Sequence, residues 1–224
     1  MLKKGDKKLI NAWAFYDWAN SVYSLVIGTA VFPLYYSNLT EGATVSFLGT
    51  DWEHPDTLYS YALSFSFLVV AFMSPSLSAI ADYTGNKKRF LQIFCWIGSL
   101  SVMSLYFFDG IDTVWIGIVF TILASIGFWS SIVFYNAYLP EVAFPEDQDR
   151  VSAKGFILGY LGSVILLVIN LGMILKPELL GITSGTASQI SFVMVGLWWL
   201  GFAQITFRRL PNNIFDKKPE KDYI

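Results

Sequence analysis

The stretch TVWIGIVFTILASIGFWSSIVFYNAYLP, Thr113–Pro140, runs for 28 residues without an Asp, Glu, Lys or Arg. A hydrocarbon core about 30 Å thick is crossed by roughly 20 helical residues, so this segment is long enough to span one. Working outward, five more charge-free windows appear: Trp18–Thr40, Thr57–Ala81, Phe90–Phe108, Gly155–Leu175 and Leu179–Phe207, of 23, 25, 19, 21 and 29 residues. Each predicts one membrane helix. The spans are expected near 9–36, 57–81, 90–108, 113–139, 154–175 and 183–207, the first reaching back to Leu9 and carrying Asp17 inside it. That first apolar segment continues through Pro33-Leu34-Tyr35-Tyr36 without a small-residue cleavage site, and is read as a retained helix. The fold class is therefore an all-α membrane protein with six transmembrane helices over residues 9–208. A tail of residues 1–8 precedes the bundle, and a linker-like, Pro- and Lys-containing tail of residues 209–224 follows it.

Composition agrees and removes other classes. Of 224 residues, 54% are hydrophobic and 14% charged, with a mean hydropathy of +0.52. A soluble domain carries about 25% charge. A net charge of −2 offers no basic footprint for nucleic acid. The single cysteine, Cys95, and single histidine, His54, leave no disulfide framework, no metal cluster and no nucleophilic triad. Neither an enzyme nor a resident cofactor or metal is expected.

Cations set the orientation, because cytoplasmic loops retain Lys and Arg. With six spans, one side holds Lys3, Lys4, Lys7, Lys8, Lys87, Lys88, Arg89, Arg150, Lys154, Arg208, Arg209, Lys217, Lys218 and Lys221; of the 15 cations only Lys176 falls opposite. Both termini are expected in the cytoplasm, with an acidic outer face and a longer outer loop near Ser37–Asp56.

Some polar residues lie where hydrocarbon should exclude them. Asp17, Asn20, Ser21 and Ser24 follow an i, i+3, i+4, i+7 pattern, one polar face of the first helix. From a start at Leu9, Asp17 lies about 12 Å into the membrane. A carboxylate there costs on the order of 3 kcal/mol, which points to a cavity-facing functional group. The competing reading starts the helix later and lets Asp17 reach headgroup water, with Trp13 and Trp18 as interfacial anchors. Tyr16 is a neighbouring candidate. Tyr135 and Asn136, before Pro140 and Glu141, either line the inner mouth of a cavity or cap the fourth helix. Asn170 is a further polar candidate in the fifth helix, or an interhelical hydrogen bond. Ser152 is expected to cap the fifth helix. Gly155, Gly159, Gly162 and Ser163 share one face and permit close helix approach. Trp96, Trp198 and Trp199 read as packing and belt residues.

Between the second and third spans the sequence is Ser78-Ala79-Ile80-Ala81-Asp82-Tyr83-Thr84-Gly85-Asn86-Lys87-Lys88-Arg89. Gly85 suits a positive φ, and Asp82 is placed to accept from amides opening the next helix. The pattern resembles the cytoplasmic loop signature of the major facilitator superfamily, Gly-x-x-x-Asp-Arg-x-Gly-Arg-Arg. Ser78, Tyr83 and Asn86 depart from it, while Asp82, Gly85 and Lys87 keep it, followed by Lys88 and Arg89. Ala14-Phe15-Tyr16-Asp17-Trp18-Ala19-Asn20-Ser21, Phe134-Tyr135-Asn136-Ala137-Tyr138-Leu139-Pro140-Glu141 and Arg150–Gly162 look like the vacuole-effluxer branch, related to autophagy-linked amino-acid effluxers.

That resemblance covers essentially the whole chain. It implies a secondary transporter of small solutes, amino acids first, working by alternating access, with a proton as the candidate coupling ion. It implies a multi-pass protein of the cell membrane in a bacterium or the vacuolar membrane in a fungus. It also implies one major-facilitator-type half bundle whose partners are the bilayer, the solute and a second six-helix half. That half is either a C-terminal continuation or a second copy. A non-transporting scaffold or truncated remnant is the alternative.

Overall fold

A computed structural model describes residues 3–211, apart from the side chains of Ile80, Asp82 and Thr84. The chain enters through Gly5, whose N–H bonds Val142 O at 3.0 Å, and Asp6, whose side chain accepts from the Lys8 N–H at 2.7 Å. This carboxylate satisfies one of the free amides that every helix start exposes. Helix α1, Lys7–Val22, passes without a break in handedness into a wide-turn π-helical stretch, Tyr23–Val31, and then into α2, Phe32–Thr40. The cause is readable locally. Pro33 has no N–H for the carbonyl of Thr29, and its ring crowds that carbonyl. Within the stretch, the Thr29 hydroxyl reaches back five residues to Ser24 O at 2.8 Å, and the Ser24 hydroxyl donates to Ser21 O at 3.0 Å.

After α2 the outer loop departs from the all-α expectation. Strands β1, Val45–Phe47, and β2, Thr50–Trp52, pair antiparallel with Val45 opposite Trp52. The two-residue turn between them has positive φ at both Leu48 (53°) and Gly49 (76°), the mirror-image turn that matches strand twist. Helix α3, Pro55–Thr84, follows and ends on Gly85 at φ 66°, a left-handed stop that frees the chain to begin α4, Lys87–Ser104. Helix α5, Val114–Ala137, leads through the short α6, Leu139–Val142, to α7, Gln148–Leu175; α8, Ser184–Arg209, completes the described bundle.

Five of these stretches are long and apolar enough to cross a membrane without interruption: Pro55–Ala79, Lys87–Phe107, Ile111–Val142, Pro145–Leu175 and Ser184–Arg209. They correspond to the second to sixth expected spans. The expected first span is present as helix but is divided by its π-helical stretch, and no one of its three pieces reaches the required length. The fifth helix starts six residues before the expected position, after a turn at Pro145–Asp147, so Ser152 lies inside α7 and caps nothing. The tail from Pro211 onward includes Lys217, Lys218 and Lys221, which lie outside the described residues. Leu210 and Pro211 are held, their carbonyls accepting from Lys88 Nζ (2.8 Å) and Tyr138 OH (3.3 Å).

Glycine sets the spacing between helices and aromatic rings fill the space between them. At Gly127 in α5 an added Cβ would overlap the main chain of Gly98 in α4, and at Gly98 it would run into the Trp199 ring of α8. Trp13, Tyr16, Tyr36, Phe32, Phe108, Phe134, Phe192 and Trp199 are fully buried. Trp199 is therefore a core residue and no belt anchor. Trp96 stays half exposed, and Trp198 turns inward to donate to Trp18 O at 3.0 Å.

Candidate functional site

The polar face of α1 meets α5 and α7 at one point. The Tyr135 hydroxyl, from the last turn of α5, donates to Asp17 Oδ2 at 2.9 Å. Trp13, one turn before Asp17 and on the same face, holds that tyrosine twice: the rings stack with centroids 4.3 Å apart and 9° between planes, and the indole N–H donates to Tyr135 O at 2.9 Å. With 2% of its surface exposed, Trp13 is a clamp inside the bundle, and the anchor reading of this residue does not hold.

The third wall is a missing side chain. A Cβ at Gly155 of α7 would lie 2.7 Å from both Asp17 Oδ2 and Tyr135 OH. Gly159 and Gly162 continue the seam, where the same addition would press on Ser21 Oγ and on Trp18 O at 2.9 Å. Helices α1 and α7 thus approach closely enough for the carboxylate and the phenol to share the space that glycine vacates. Replacing Gly155 with alanine should break the Tyr135–Asp17 hydrogen bond and lower stability by about 1–3 kcal/mol, read as the thermal midpoint in detergent. Tyr135→Phe in the same chain should recover part of that loss, since the phenol oxygen is one of the two atoms struck; strict additivity of the two changes would count against this geometry.

The sequence matches the family profile described as vacuole effluxer Atg22 like over residues 5–147 and 142–224. The chain belongs to this vacuole effluxer family. An uncharacterized MFS-type transporter, YxiO, of Bacillus subtilis (strain 168) is 36% identical over 221 residues, covering 97% of this chain and 50% of its own length. Autophagy-related protein 22 of Pyricularia oryzae is 26% identical over 197 residues, covering 63% of this chain and 28% of its own. Autophagy-related protein 22-1 of Aspergillus terreus is 26% identical over 215 residues, covering 68% and 35%. The chain spans half or less of the length of these relatives. No solved structure matches it. Family and long apolar helices together make the chain an integral membrane protein of a transporter family, which points away from an enzyme.

In this effluxer-family chain the remaining candidates separate into groups. Asn20 is fully buried beside Asp17; its Oδ1 accepts from Ser21 Oγ at 3.4 Å, and its Nδ2 has no partner among the described residues. Tyr16 is fully buried behind Tyr135, with rings 5.4 Å apart and its hydroxyl likewise without a partner. Ser24, in the expected polar stripe, lies in the wide-turn stretch and is exposed. Asn136, next to Tyr135, faces outward and is exposed. Asn170 is fully buried, with both amide atoms unsatisfied among the described residues, but lies fifteen residues along α7 from Gly155, about 22 Å away.

The loop after α3 forms a second cluster. Asp82 sits in the last turn of α3, two residues before the helix ends, and its side chain is outside the description. Lys87 Nζ pairs with Glu141 Oε1 at 2.7 Å, both partly buried, and Lys88 reaches Leu210 O at the end of α8, while Arg89 is exposed. The loop therefore ties α4 to α6 and α8 within the described bundle. Sequence reading missed Trp13 as the clamp; its spacing of four from Asp17 was the available signal.

Proposed function

We propose that this chain is the N-terminal half of a secondary-active exporter of small solutes, amino acids first among them, working by alternating access. The first helical run supplies the sixth span, both ends lie in the cytoplasm, and the site forms where a second six-helix half, covalent or a second copy, closes over the polar face of α1. The carboxylate of Asp17, held by Tyr135 and cradled by Gly155, carries this reading: a charge kept inside an apolar bundle at a cost of about 3 kcal/mol is retained for work, either pairing with a substrate ammonium or carrying a coupling proton. Asn20 and Tyr16, buried near it, are its neighbours in that role, and the loop carrying Asp82, Gly85, Lys87, Lys88 and Arg89 serves as a gate.

The test is solute flux from vesicles holding the chain together with its second half. Saturable efflux of labelled zwitterionic amino acids, above protein-free vesicles and not shared by neutral sugars, is the expected outcome. Flux of no small solute would leave the scaffold reading standing and end this one.

A further inference from the structure

The charged end of the bundle holds a groove that the transport reading leaves unused. About 330 Å³ of space opens between the first turns of α1 and α7, lined by Lys7, Ile10, Asn11, Arg150, Val151 and Lys154. The lining holds three cations and no carboxylate. Lys154 donates to Asn11 Oδ1 across the two helices. Its partner is a neutral amide, so it keeps its full charge. Arg150 shares its charge with Asp147, 2.8 Å away and three residues back, and Lys7 is exposed at the start of α1. Both helices begin here, but Asp6 caps α1 and Asp147 and Asp149 stand at the start of α7, so carboxylates already answer the two helix ends and the positive potential of the groove is that of Lys7 and Lys154.

Below the cations the surface turns apolar. Ile10 and Val151 form the groove floor, and Ile157 and Leu161, on the same face of α7 as Arg150 and Lys154, continue down the helix, both exposed. A cationic pocket opening onto an exposed apolar surface matches a ligand with an anionic head and acyl tails, better than a free anion, which would use only the upper half.

We infer that this groove binds the phosphate headgroup of an anionic phospholipid, seated between Lys7 and Lys154 with its chains along α7. The contact would bear on the transport site, because Lys154 adjoins Gly155 and Asn11 lies on the helix that carries Asp17. The inference rests on the chain being embedded in a membrane with this face of α7 open to lipid, and not on the chain moving a solute.

The experiment titrates the purified chain, in a neutral detergent, with phosphatidylglycerol, with phosphatidylcholine of the same acyl chains, and with inorganic phosphate, following the thermal midpoint by tryptophan fluorescence. Phosphatidylglycerol should raise the midpoint at concentrations at least tenfold lower than phosphatidylcholine. At about fivefold per cation near a membrane surface, K7Q/K154Q should weaken that preference roughly tenfold or more. R208Q/R209Q removes equal charge from exposed positions at the end of α8 and should leave it within twofold. If K7Q/K154Q does not fold, K7Q/R150Q, which keeps the Lys154–Asn11 contact, reads the same. Equal losses in both pairs would reduce the effect to diffuse surface charge and overturn the site. Stabilisation by inorganic phosphate alone would make it a free-anion site and overturn the lipid assignment, as would equal response to the two lipids.

Discussion

Asp17→Asn should abolish transport, lowering initial flux at least about 100-fold in the proposed assembled transporter, and leave the chain folded. Asparagine matches aspartate in size and keeps an oxygen to accept from Tyr135, so the 2.9 Å contact and the Trp13–Tyr135 stack persist. Only the charge is lost. Relieving a carboxylate held in an apolar bundle should also raise the thermal midpoint, since its burial costs on the order of 3 kcal/mol. Higher stability together with lost flux is the signature of a group kept for function at the expense of the fold. Tyr135→Phe, which keeps the ring stack and removes the donor, should lower flux less. Unchanged flux in D17N would show that the carboxylate neither pairs with substrate nor carries a coupling proton.

Gly127→Val should prevent folding. An added Cβ at this position overlaps the main-chain N and Cα of Gly98 and sits 2.9 Å from Phe94 O, so the neighbour is backbone and has no rotamer to yield. Overpacking in protein cores costs about 1–3 kcal/mol when side chains can shift; here α4 and α5 must separate, and the loss should reach about 3 kcal/mol or more. Separation would also unseat Trp199, which packs over Gly98 from α8. Gly172→Val is the matched control, an exposed glycine in α7 with nothing within 4 Å. Monodispersity and thermal midpoint in detergent decide it: a G127V chain that melts with the control would mean the two helices tolerate a wider spacing.

Much of this architecture was legible because a bilayer imposes a length. The charge-free windows located five uninterrupted helices, and their limits erred where helices run on past the first charge. Pro55–Thr84 and Gln148–Leu175 both do so, since Asp56 and Asp149 in opening turns are favourable there. The β-hairpin escaped notice because its strands are three residues long and its turn is Leu48-Gly49, without the Asn-Gly that usually marks one. Asp17 stood out by chemistry alone. Tyr135 reads as lining a cavity mouth or capping its helix, but its pairing with Asp17 was not legible, because the two are 118 residues apart and local periodicity says nothing about which helix lies opposite. Adjacent residues show the same limit: Tyr135 faces the carboxylate while Asn136 faces out.

Ser24, the second residue of the wide-turn stretch, keeps nearly the azimuth that α1 gives it, but the residues after it do not. Each wide turn of Tyr23–Val31 holds more residues than an α-turn, so successive side chains advance through a smaller angle, and the error accumulates over nine positions. Helical phase is thus reset part-way along the first helical run, and Phe32–Thr40 meets its neighbours at an azimuth that Lys7–Val22 does not dictate. In mechanical terms the rod is jointed. Its first segment is clamped to α5 through Asp17 and Trp13 and packs on α7 at Gly155, its last segment is tied to the far end through the bonds of Tyr35 to Phe108 O and Tyr36 to Pro55 O, and a rotation of one about the helix axis is not geometrically imposed on the other.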